Sequence, residues 1–583
     1  MESCRPSIVR LAIAFAALCS CAKVNQGGGK AADAGSSDLP LDGAPLDLRP
    51  VDVPSVEVPP VDVPASEKFV AEAGMGGTSP PSDPVTCEEA EKNRTYVGCD
   101  YWPTVVANNV WSIFDFAVVV ANGQAVAADI TITGPAGLHQ TTTVAPGAIG
   151  KMYLPWVKDL KGPDTDECGN AIALTASVLS RSGAYHLVSS VPVSVYQFNP
   201  LEYRPAGGPP GKDWSQCPGR RLCQSASTAV GCLSYQNDAS FLLPSTAMTG
   251  NYRITGVPGW SGNDIIGGPY DIQGAYFAVT ATADDTKVKI QMSATAQVLA
   301  GGAAIPAVAP GQILSLTLQQ GDVAEIVSPI GRRFDFSGSV VNADKPVQVI
   351  TGIPCLKVPE NTEACDHVEE SVLPAETLGK HYLVAVPTSA AGMTVGHVVR
   401  FVGNVDGTTL TYAPKKPDAC PASLKAGQVV DCGVVADDFE VTGDHEFGVT
   451  MFQLSAFAAE PYKPFADRKG DPSQTVAVAV EQYRLKYIFL APDDYEVNYV
   501  DITGPVGTAV TLDGAAVTAP FTPIGATGYG VARVKLLGGQ AGAHAMTSDQ
   551  PVGIQVLGYG DATSYQYPGG LNLQMIAPPI IIY

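Results

Sequence analysis

The chain has 583 residues and a formal net charge of −22, although only 16% of its residues are charged. A chain this acidic repels phosphate backbones, which excludes nucleic acid as a partner. The length predicts three to four domains, and 60 glycines and 47 prolines indicate short strands rather than long helices.

The first recognisable element is the apolar segment Leu11–Leu18, which follows the basic residues Arg5 and Arg10. A bilayer span needs roughly 20 apolar residues, so residues 1–20 are predicted to be a secretory signal peptide and not a membrane helix. The segment Leu18-Cys19-Ser20-Cys21 resembles the bacterial lipobox, whose final cysteine is lipidated and becomes the mature N-terminus. This resemblance predicts that Cys21 anchors the chain to a membrane. A plain cleaved signal is the alternative.

A tether is predicted over residues 21–86. The segment is rich in Gly, Ala, Asp and Pro and repeats an acidic-valine-proline pattern, seen at residues 50–54 and 60–64. Such a composition buries too little apolar surface to fold, and its prolines favour an extended polyproline II conformation. At roughly 3.1 Å per residue, the tether reaches at most about 200 Å.

The cysteines beyond the tether predict a disulfide-bonded, exported protein. They are Cys87, Cys99, Cys168, Cys217, Cys223, Cys232, Cys355, Cys365, Cys420 and Cys432. Short spacings predict the pairs Cys87–Cys99, Cys355–Cys365 and Cys420–Cys432. The other four are expected to pair among themselves, for which Cys168–Cys217 with Cys223–Cys232 is one arrangement. No CxxC pair occurs, so no zinc site is predicted.

A repeated pattern of small or acidic turn residues followed by an alternating strand dominates the rest of the chain. It occurs at residues 189–196, 342–349, 442–449 and 548–556. Three copies contain a proline, which we expect to mark the first residue of a strand because proline cannot donate a ladder hydrogen bond. The pattern predicts an all-β fold of tandem antiparallel β-sandwich modules after the disordered tether. The four modules are predicted at residues 87–205, 206–355, 356–460 and 461–583.

The densest group of polar residues is Asp366, His367, Glu369 and Glu370. These side chains could ligate a divalent metal, or His367 and Glu370 could perform acid–base chemistry, which makes a metal-dependent hydrolase or carbohydrate-processing enzyme an alternative function. A disulfide-pinned turn whose carboxylates accept backbone hydrogen bonds explains the same residues. We favour this structural interpretation because nucleophile-elbow, zinc-helix and phosphate-loop motifs do not occur in the sequence. No catalytic residue, metal or cofactor is therefore predicted.

The same segment resembles the N-terminal domain of the IgG Fc-binding protein family. The family motif reads P-C-x-x-V-P, then C-D-H-x-x-E, then L-P-P and W-G. The matching residues are Cys355, Pro359, Cys365, Asp366, His367, Glu370, Pro374 and Gly379. Ala375 replaces the second proline of L-P-P, and Leu378 replaces the aromatic residue before glycine. With a similar C-terminal signature at residues 549–570, the resemblance covers about residues 250 to 570.

The resemblance implies an exported protein of binding or adhesion. Immunoglobulin binding does not carry over, because no residues for it can be mapped onto this chain. Together with the lipobox, the resemblance predicts a non-enzymatic lipoprotein at the outer membrane and cell surface of a Gram-negative bacterium. Its β-rich head is expected to bind an extracellular protein or glycan. A structural protein of the cell envelope is a further alternative.

Overall fold

The computed structural model describes residues 83–166, 168–218, 231–263, 269–464, 467–537 and 542–582. The predicted signal peptide, Cys21, the tether up to residue 82 and Cys223 lie outside the described residues. Within them, the helices are short: α1 is Cys87–Asn93, α2 is Lys158–Lys161 and α3 is Ala456–Ala459. In the described part of the chain, no helix has the length and apolar character needed to cross a membrane.

The strands up to residue 242 are the following. They are β1 (Gly98–Tyr101), β2 (Phe116–Ala121), β3 (Ala128–Gly134), β4 (Leu138–Val144), β5 (Ile149–Leu154), β6 (Val178–Ser180), β7 (His186–Phe198) and β8 (Ala239–Leu242).

The next strands extend to residue 371. They are β9 (Asn251–Arg253), β10 (Trp260–Asn263), β11 (Pro269–Gln273), β12 (Tyr276–Ala281), β13 (Thr286–Gln291), β14 (Ile313–Leu318), β15 (Val323–Val327), β16 (Val340–Ala343), β17 (Val347–Leu356) and β18 (Asp366–Ser371).

A third group extends to residue 476. It comprises β19 (His381–Val384), β20 (His397–Gly403), β21 (Thr408–Ala413), β22 (Ser423–Leu424), β23 (Val429–Val435), β24 (Phe439–Gly443), β25 (Phe447–Gln453) and β26 (Gln474–Val476).

The last group is β27 (Arg484–Leu490), β28 (Val497–Pro505), β29 (Val510–Leu512), β30 (Ala515–Ala516), β31 (Thr522–Pro523), β32 (Tyr529–Leu536), β33 (Ala543–Gly560) and β34 (Thr563–Pro568). The described ladders are antiparallel, and they confirm the predicted all-β class.

Apart from the two-stranded sheet β10-β11, the sheets of the described residues form four sandwiches. Sandwich 1 joins β4-β3-β7-β1 to β5-β2-β7-β8, and sandwich 2 pairs β18-β17-β12-β15-β6 with β14-β13-β16-β9. Sandwich 3 pairs β19-β24-β21-β22 with β23-β20-β25-β26, and sandwich 4 joins β30-β29-β33-β27 to β31-β32-β28-β33-β34. Sandwiches 2 and 3 each enclose an apolar cluster drawn from both of their sheets, whereas sandwiches 1 and 4 share one continuous core.

The four repeated segments lie where the chain passes from one sheet of a sandwich to the other. In each copy, a small or acidic side chain accepts a hydrogen bond from a backbone N–H in a neighbouring strand or, in the fourth copy, from the residue just before one. These contacts are Asp129 N to Ser190 Oγ at 2.9 Å, and at 2.8 Å each Lys287 N to Asp344 Oδ1, Thr409 N to Asp444 Oδ1 and Ala509 N to Asp549 Oδ1. The turn residues seen in the sequence therefore close the corner of each sandwich.

The prolines of these corners occupy two kinds of position. Pro346 precedes β17, as expected, but Pro192 and Pro551 lie inside β7 and β33. The expectation that each proline begins a strand is wrong for these two. The two long strands change sheets at this point, so the missing N–H of proline coincides with a change of ladder partner.

The strand pairing also differs from the predicted module limits. It places β8, β18 and β26 with the preceding sandwich, although the boundaries at residues 205, 355 and 460 assign each to the next module. Each of these strands follows a connection of nine or more residues, so the sandwich to which it belongs cannot be recognised from the local sequence pattern.

The disulfides confirm Cys87–Cys99, Cys355–Cys365 and Cys420–Cys432. The suggested arrangement of the other four cysteines is wrong, because Cys217 bonds to Cys232. The two cysteines meet beside the aromatic cluster of Phe114 and Trp214, a proximity that sequence spacing does not reveal.

Candidate functional site

One strand from each sandwich faces a common central region, which we name the hub. The strands are β8, β18, β26 and β34, and they contact one another around it. The sequence-identified residues Asp366, His367, Glu369 and Glu370 all lie on β18, with side chains at most 1% exposed. The polar cluster is therefore in the interior of the protein and does not line an open cleft.

Glu369 connects sandwich 2 to sandwich 1 through the hub. Its Oε1 accepts hydrogen bonds from Ser240 Oγ at 3.0 Å and Gln197 Nε2 at 3.3 Å. Its Oε2 accepts one from Asn199 Nδ2 at 3.3 Å and lies 3.5 Å from His367 Nε2. Glu369, at a variable position of the motif, thus contacts the motif residue His367, and both are tied to side chains of the neighbouring sandwich.

Asp238 is the hub residue that sequence reasoning missed. Its Oδ2 accepts the backbone N–H of Glu369 at 3.1 Å and of Gln474 at 3.0 Å, and its Oδ1 accepts that of Ala239 at 2.9 Å. One carboxyl group therefore joins β8, β18 and the start of β26. Nothing in the local sequence distinguishes Asp238 from an ordinary turn residue before a strand.

The electrostatics of the hub favour uncharged acids. Burial raises the pKa of Asp238, Asp366, Glu370 and Asp471 well above the usual carboxyl range. Among the described residues, neither carboxyl oxygen of Asp366 has a hydrogen-bond partner, although the backbone amides of His367 and Asn237 face it. Buried carboxyl groups without charged partners bind a proton because the charged form is poorly solvated there.

The burial of Asp366, His367 and Glu370 argues against the alternative of an enzyme centred on them. A substrate has no open route to side chains that are at most 1% exposed. Within the described ranges, no three His, Cys, Asp or Glu side chains come together as a metal would require. The structural interpretation of these residues fits their contacts, with Glu370 Oε1 accepting the backbone N–H of Ser371 at 2.8 Å.

The remaining motif residues shape the surroundings of the hub. Gly379 donates its N–H to Tyr382 Oη at 3.1 Å, and a Cβ at this position would lie 2.4 Å from the Cβ of Ala479. Pro374 precedes a 3-10 turn at Ala375–Thr377. These residues position the link between sandwiches 2 and 3.

An open groove lies on the surface between sandwiches 2 and 3. Its first cavity has a volume of about 390 Å³ and includes Pro359 of the loop closed by the Cys355–Cys365 disulfide. Its apolar wall is formed by Trp260, Leu356, Val358, Val398, Val434 and Phe452. This volume falls in the range of small-ligand sites, which is roughly 300–1,000 Å³.

A second cavity of about 440 Å³ continues the groove. It is more polar than the first cavity, with Ser293, Thr295, Ser337 and Gln428 in its lining. The residues that line both cavities are Pro258, Arg332, Arg400 and Asp431. The groove therefore has an apolar end and a more polar end, with two arginines and an aspartate at the junction.

Buried arginines hold the two walls of the groove together. Arg400 of sandwich 3 donates to Asp335 Oδ2 at 2.5 Å and to the carbonyl oxygen of Gly256 on the side of sandwich 2. Arg253 of sandwich 2 donates to the carbonyl oxygen of Gly338 at 2.8 Å and to Asn404 Oδ1 at 3.0 Å. Charge-assisted hydrogen bonds across the interface give the groove a preformed shape.

Comparison with known proteins places this geometry in a family. Residues 238–558 match the profile of a family described as "IgGFc binding protein". The chain is also similar to a human protein named "IgGFc-binding protein", with 27% identity over 345 residues, which is 58% of this chain but 6% of the human protein.

A solved structure of an anti-sigma factor domain-containing protein from Clostridium clariflavum aligns with 76% of this chain and 97% of that chain. Its TM-score of 0.10 and 9% identity carry no structural argument. The family match, in contrast, covers more than half of the 583 residues and contains β18, the hub residue Asp238 and both walls of the groove. The chain belongs to the IgGFc binding protein family.

Proposed function

We propose that this chain is an exported, non-enzymatic binding protein held at the bacterial cell surface by a lipid on Cys21. In this proposal, an extracellular protein or glycan binds in the groove between sandwiches 2 and 3. The observation that carries it is the contrast between two sites. The polar motif residues are sealed in the hub, whereas the groove is open, preformed and lined by mixed apolar and charged side chains.

The disulfides support the exported part of the proposal. Structural disulfides such as Cys87–Cys99 and Cys217–Cys232 persist in oxidising compartments and are rare in the cytosol. The lipobox resemblance at Leu18–Cys21 supports the anchor. A lipid anchor followed by a long proline-rich tether suits the display of a folded head away from the membrane.

The family supports the binding part. The human relative is named for binding the Fc part of IgG, and that property is its own. Because this chain matches only 6% of that protein, the proposal takes over the general class alone, an extracellular ligand bound without chemistry. An extracellular protein and a glycan both belong to this class.

The proposal is tested by measuring whether the full-length chain is retained on mucins, glycan arrays and extracellular proteins. The extracellular proteins include the Fc part of IgG. Two exposed groove residues are replaced in the double variant Arg332→Glu/Val434→Glu. The matched control, Lys289→Glu/Val188→Glu, makes the same charge changes at exposed positions outside the groove. We expect the first variant to lose retention by tenfold or more and the control to keep it. Absence of retention on every surface would overturn binding and favour the structural envelope alternative.

A further inference from the structure

The charges that line the groove differ in sign from the net charge of the whole chain. The chain has 57 acidic and 35 basic residues. Yet the two cavities are lined by four basic side chains and only three acidic ones, one of which is Glu360. The basic residues are Arg332, Arg333, Lys357 and Arg400, and the other acidic residues are Asp335 and Asp431. The groove therefore has one more cation than carboxylates in its lining, whereas the whole chain has a net charge of −22.

The arginines at the junction are not fully engaged by the protein's own acids. The Asp431 carboxylate lies 3.8 Å from an Arg332 nitrogen and 3.9 Å from Arg400 Nε, beyond hydrogen-bond distance from either. The side chain of Arg332 is 53% exposed, although one of its nitrogens pairs with Glu360. A ligand carboxylate at this position would find guanidinium N–H groups within reach.

Two buried N–H donors beside the groove also have no acceptor among the described residues. They are Trp260 Nε1 and Arg400 Nε, on side chains that are 7% and 5% exposed. Because both atoms are buried beneath the lining of the groove, they show only that donors outnumber acceptors in this wall. The donor that a ligand can reach is the exposed guanidinium of Arg332.

The apolar end favours a peptide over a sugar. A sugar typically stacks on an open aromatic face, but Trp260 is nine-tenths buried, and Lys357 Nζ lies 5.6 Å from the centre of its ring. The wall made by Leu356, Val434 and Phe452 instead suits an aliphatic or aromatic side chain.

We propose that the groove binds an extended peptide segment of an extracellular protein, with one apolar side chain in the first cavity and a neighbouring carboxylate at Arg332. This inference rests on the proposed function and names its ligand class. Burial of the apolar side chain would stabilise the complex. The arginines at the junction would orient the peptide, because guanidinium groups recognise carboxylates by directed hydrogen bonds.

Fluorescence anisotropy with three pools of blocked, labelled decapeptides tests the inference on the full-length chain. The first pool carries Leu or Phe beside two Asp residues. The second replaces Asp with Lys, and the third replaces Leu or Phe with Ser. We expect saturable binding of the first pool, at least tenfold tighter than that of the other two. Equal binding of the Lys pool would overturn the inference.

Exposed-site variants locate the binding without disturbing the core. Arg332→Glu is expected to weaken binding of the first pool at least tenfold, and Val434→Glu to do the same. The controls Lys289→Glu and Val188→Glu are expected to change it less than twofold. Equal losses in the controls would overturn the assignment to the groove.

A fourth probe, an oligogalacturonate mixture, separates this inference from the proposed function. If the oligosaccharide binds in an Arg332-dependent manner and no peptide pool does, the peptide assignment fails while the binding function stands. If no probe binds and the chain is also not retained on any surface, both fail.

Discussion

The hydroxyl of Tyr252 donates a hydrogen bond to the carbonyl oxygen of Val347 at 2.6 Å, directly after the corner at Pro346. The same hydroxyl accepts the N–H of Thr249 at 3.2 Å. The arrangement recurs once in each sandwich, always between a tyrosine on an early strand and the residue that follows the corner. The other three pairs are Tyr101–Val193, Tyr382–Phe447 and Tyr487–Val552.

This repeated contact explains why the four corner segments share a pattern. The corner leaves a backbone carbonyl inside the sandwich, and the tyrosine hydroxyl satisfies it together with an N–H three residues before the tyrosine. An unpaired buried backbone group is costly, so each sandwich needs such a partner. The four sandwiches are therefore built around one device.

Replacing Tyr252 by Phe is expected to destabilise the protein by about 1–3 kcal/mol, because it leaves the Val347 carbonyl and the Thr249 N–H without a partner. Denaturant unfolding measures the change in the free energy of unfolding. Tyr462→Phe is the control, since Tyr462 is 59% exposed, and it is expected to change stability by no more than about 0.5 kcal/mol. Equal effects of the two variants would contradict the role given to the corner contact.

The buried carboxyl group of Glu325 is expected to make the protein less stable as pH rises. Its side chain lies between sandwiches 1 and 2, where Oε1 accepts the N–H of Ala107 at 2.8 Å. Burial raises its pKa from 4.5 to about 8. The folded state then holds a proton that the unfolded state loses, so this group's contribution to stability is full below pH 4.5 and is lost as pH rises toward 8.

Glu325→Gln keeps an acceptor for Ala107 but cannot titrate. In the wild type, the Glu325 contribution should lower the unfolding free energy by up to about 5 kcal/mol as pH rises across this range. We expect this decline to be absent from the variant. Unfolding curves measured at several pH values give the comparison, with Glu88→Gln as the exposed control. A parallel pH dependence in wild type and Glu325→Gln would show that Glu325 is not the titrating group.

Asp238 is expected to be the most sensitive position of the hub. Asp238→Ala removes the acceptor of three backbone N–H groups at once, those of Ala239, Glu369 and Gln474. The expected loss is about 3 kcal/mol or more. Asp238→Asn retains one carbonyl oxygen and is expected to lose less, which keeps the test informative if the alanine variant does not fold. Thermal unfolding compares them, and an Asn variant as damaged as the Ala variant would count against this ordering.

The sequence allowed the outer parts of the fold to be predicted, because those parts obey local rules. In β13, for example, buried residues such as Val288 and Ile290 alternate with the exposed Lys287 and Lys289. Three close cysteine spacings predicted three disulfides correctly. The corners were visible as well, since their turn residues bond to the backbone nearby.

The hub and the groove could not be predicted in the same way. Strand β18 is buried along its whole length, so it shows no alternation, and its Asp-His-Val-Glu-Glu sequence resembles a site of chemistry. Only the assembly of four sandwiches makes these residues interior. The groove is lined by residues that are distant in sequence, so no local motif indicates it. Examples are Trp260, Arg332, Pro359, Arg400 and Val434.

The last prediction concerns the lipid anchor, which lies outside the described residues and rests on the sequence alone. Leu18 stands three residues before Cys21, and the small Ser20 stands directly before it, whereas Cys19 follows the bulky Leu18. Lipidation is therefore expected at Cys21 and not at Cys19.

Because each buried acyl CH₂ contributes roughly 0.8 kcal/mol to membrane binding, losing the acyl chains should release the chain from the membrane. We expect Cys21→Ser to abolish incorporation of a labelled fatty acid and to shift the chain to the soluble fraction, while Cys19→Ser keeps both label and membrane association. A Cys21→Ser chain that still carries the label would overturn this assignment of the anchor.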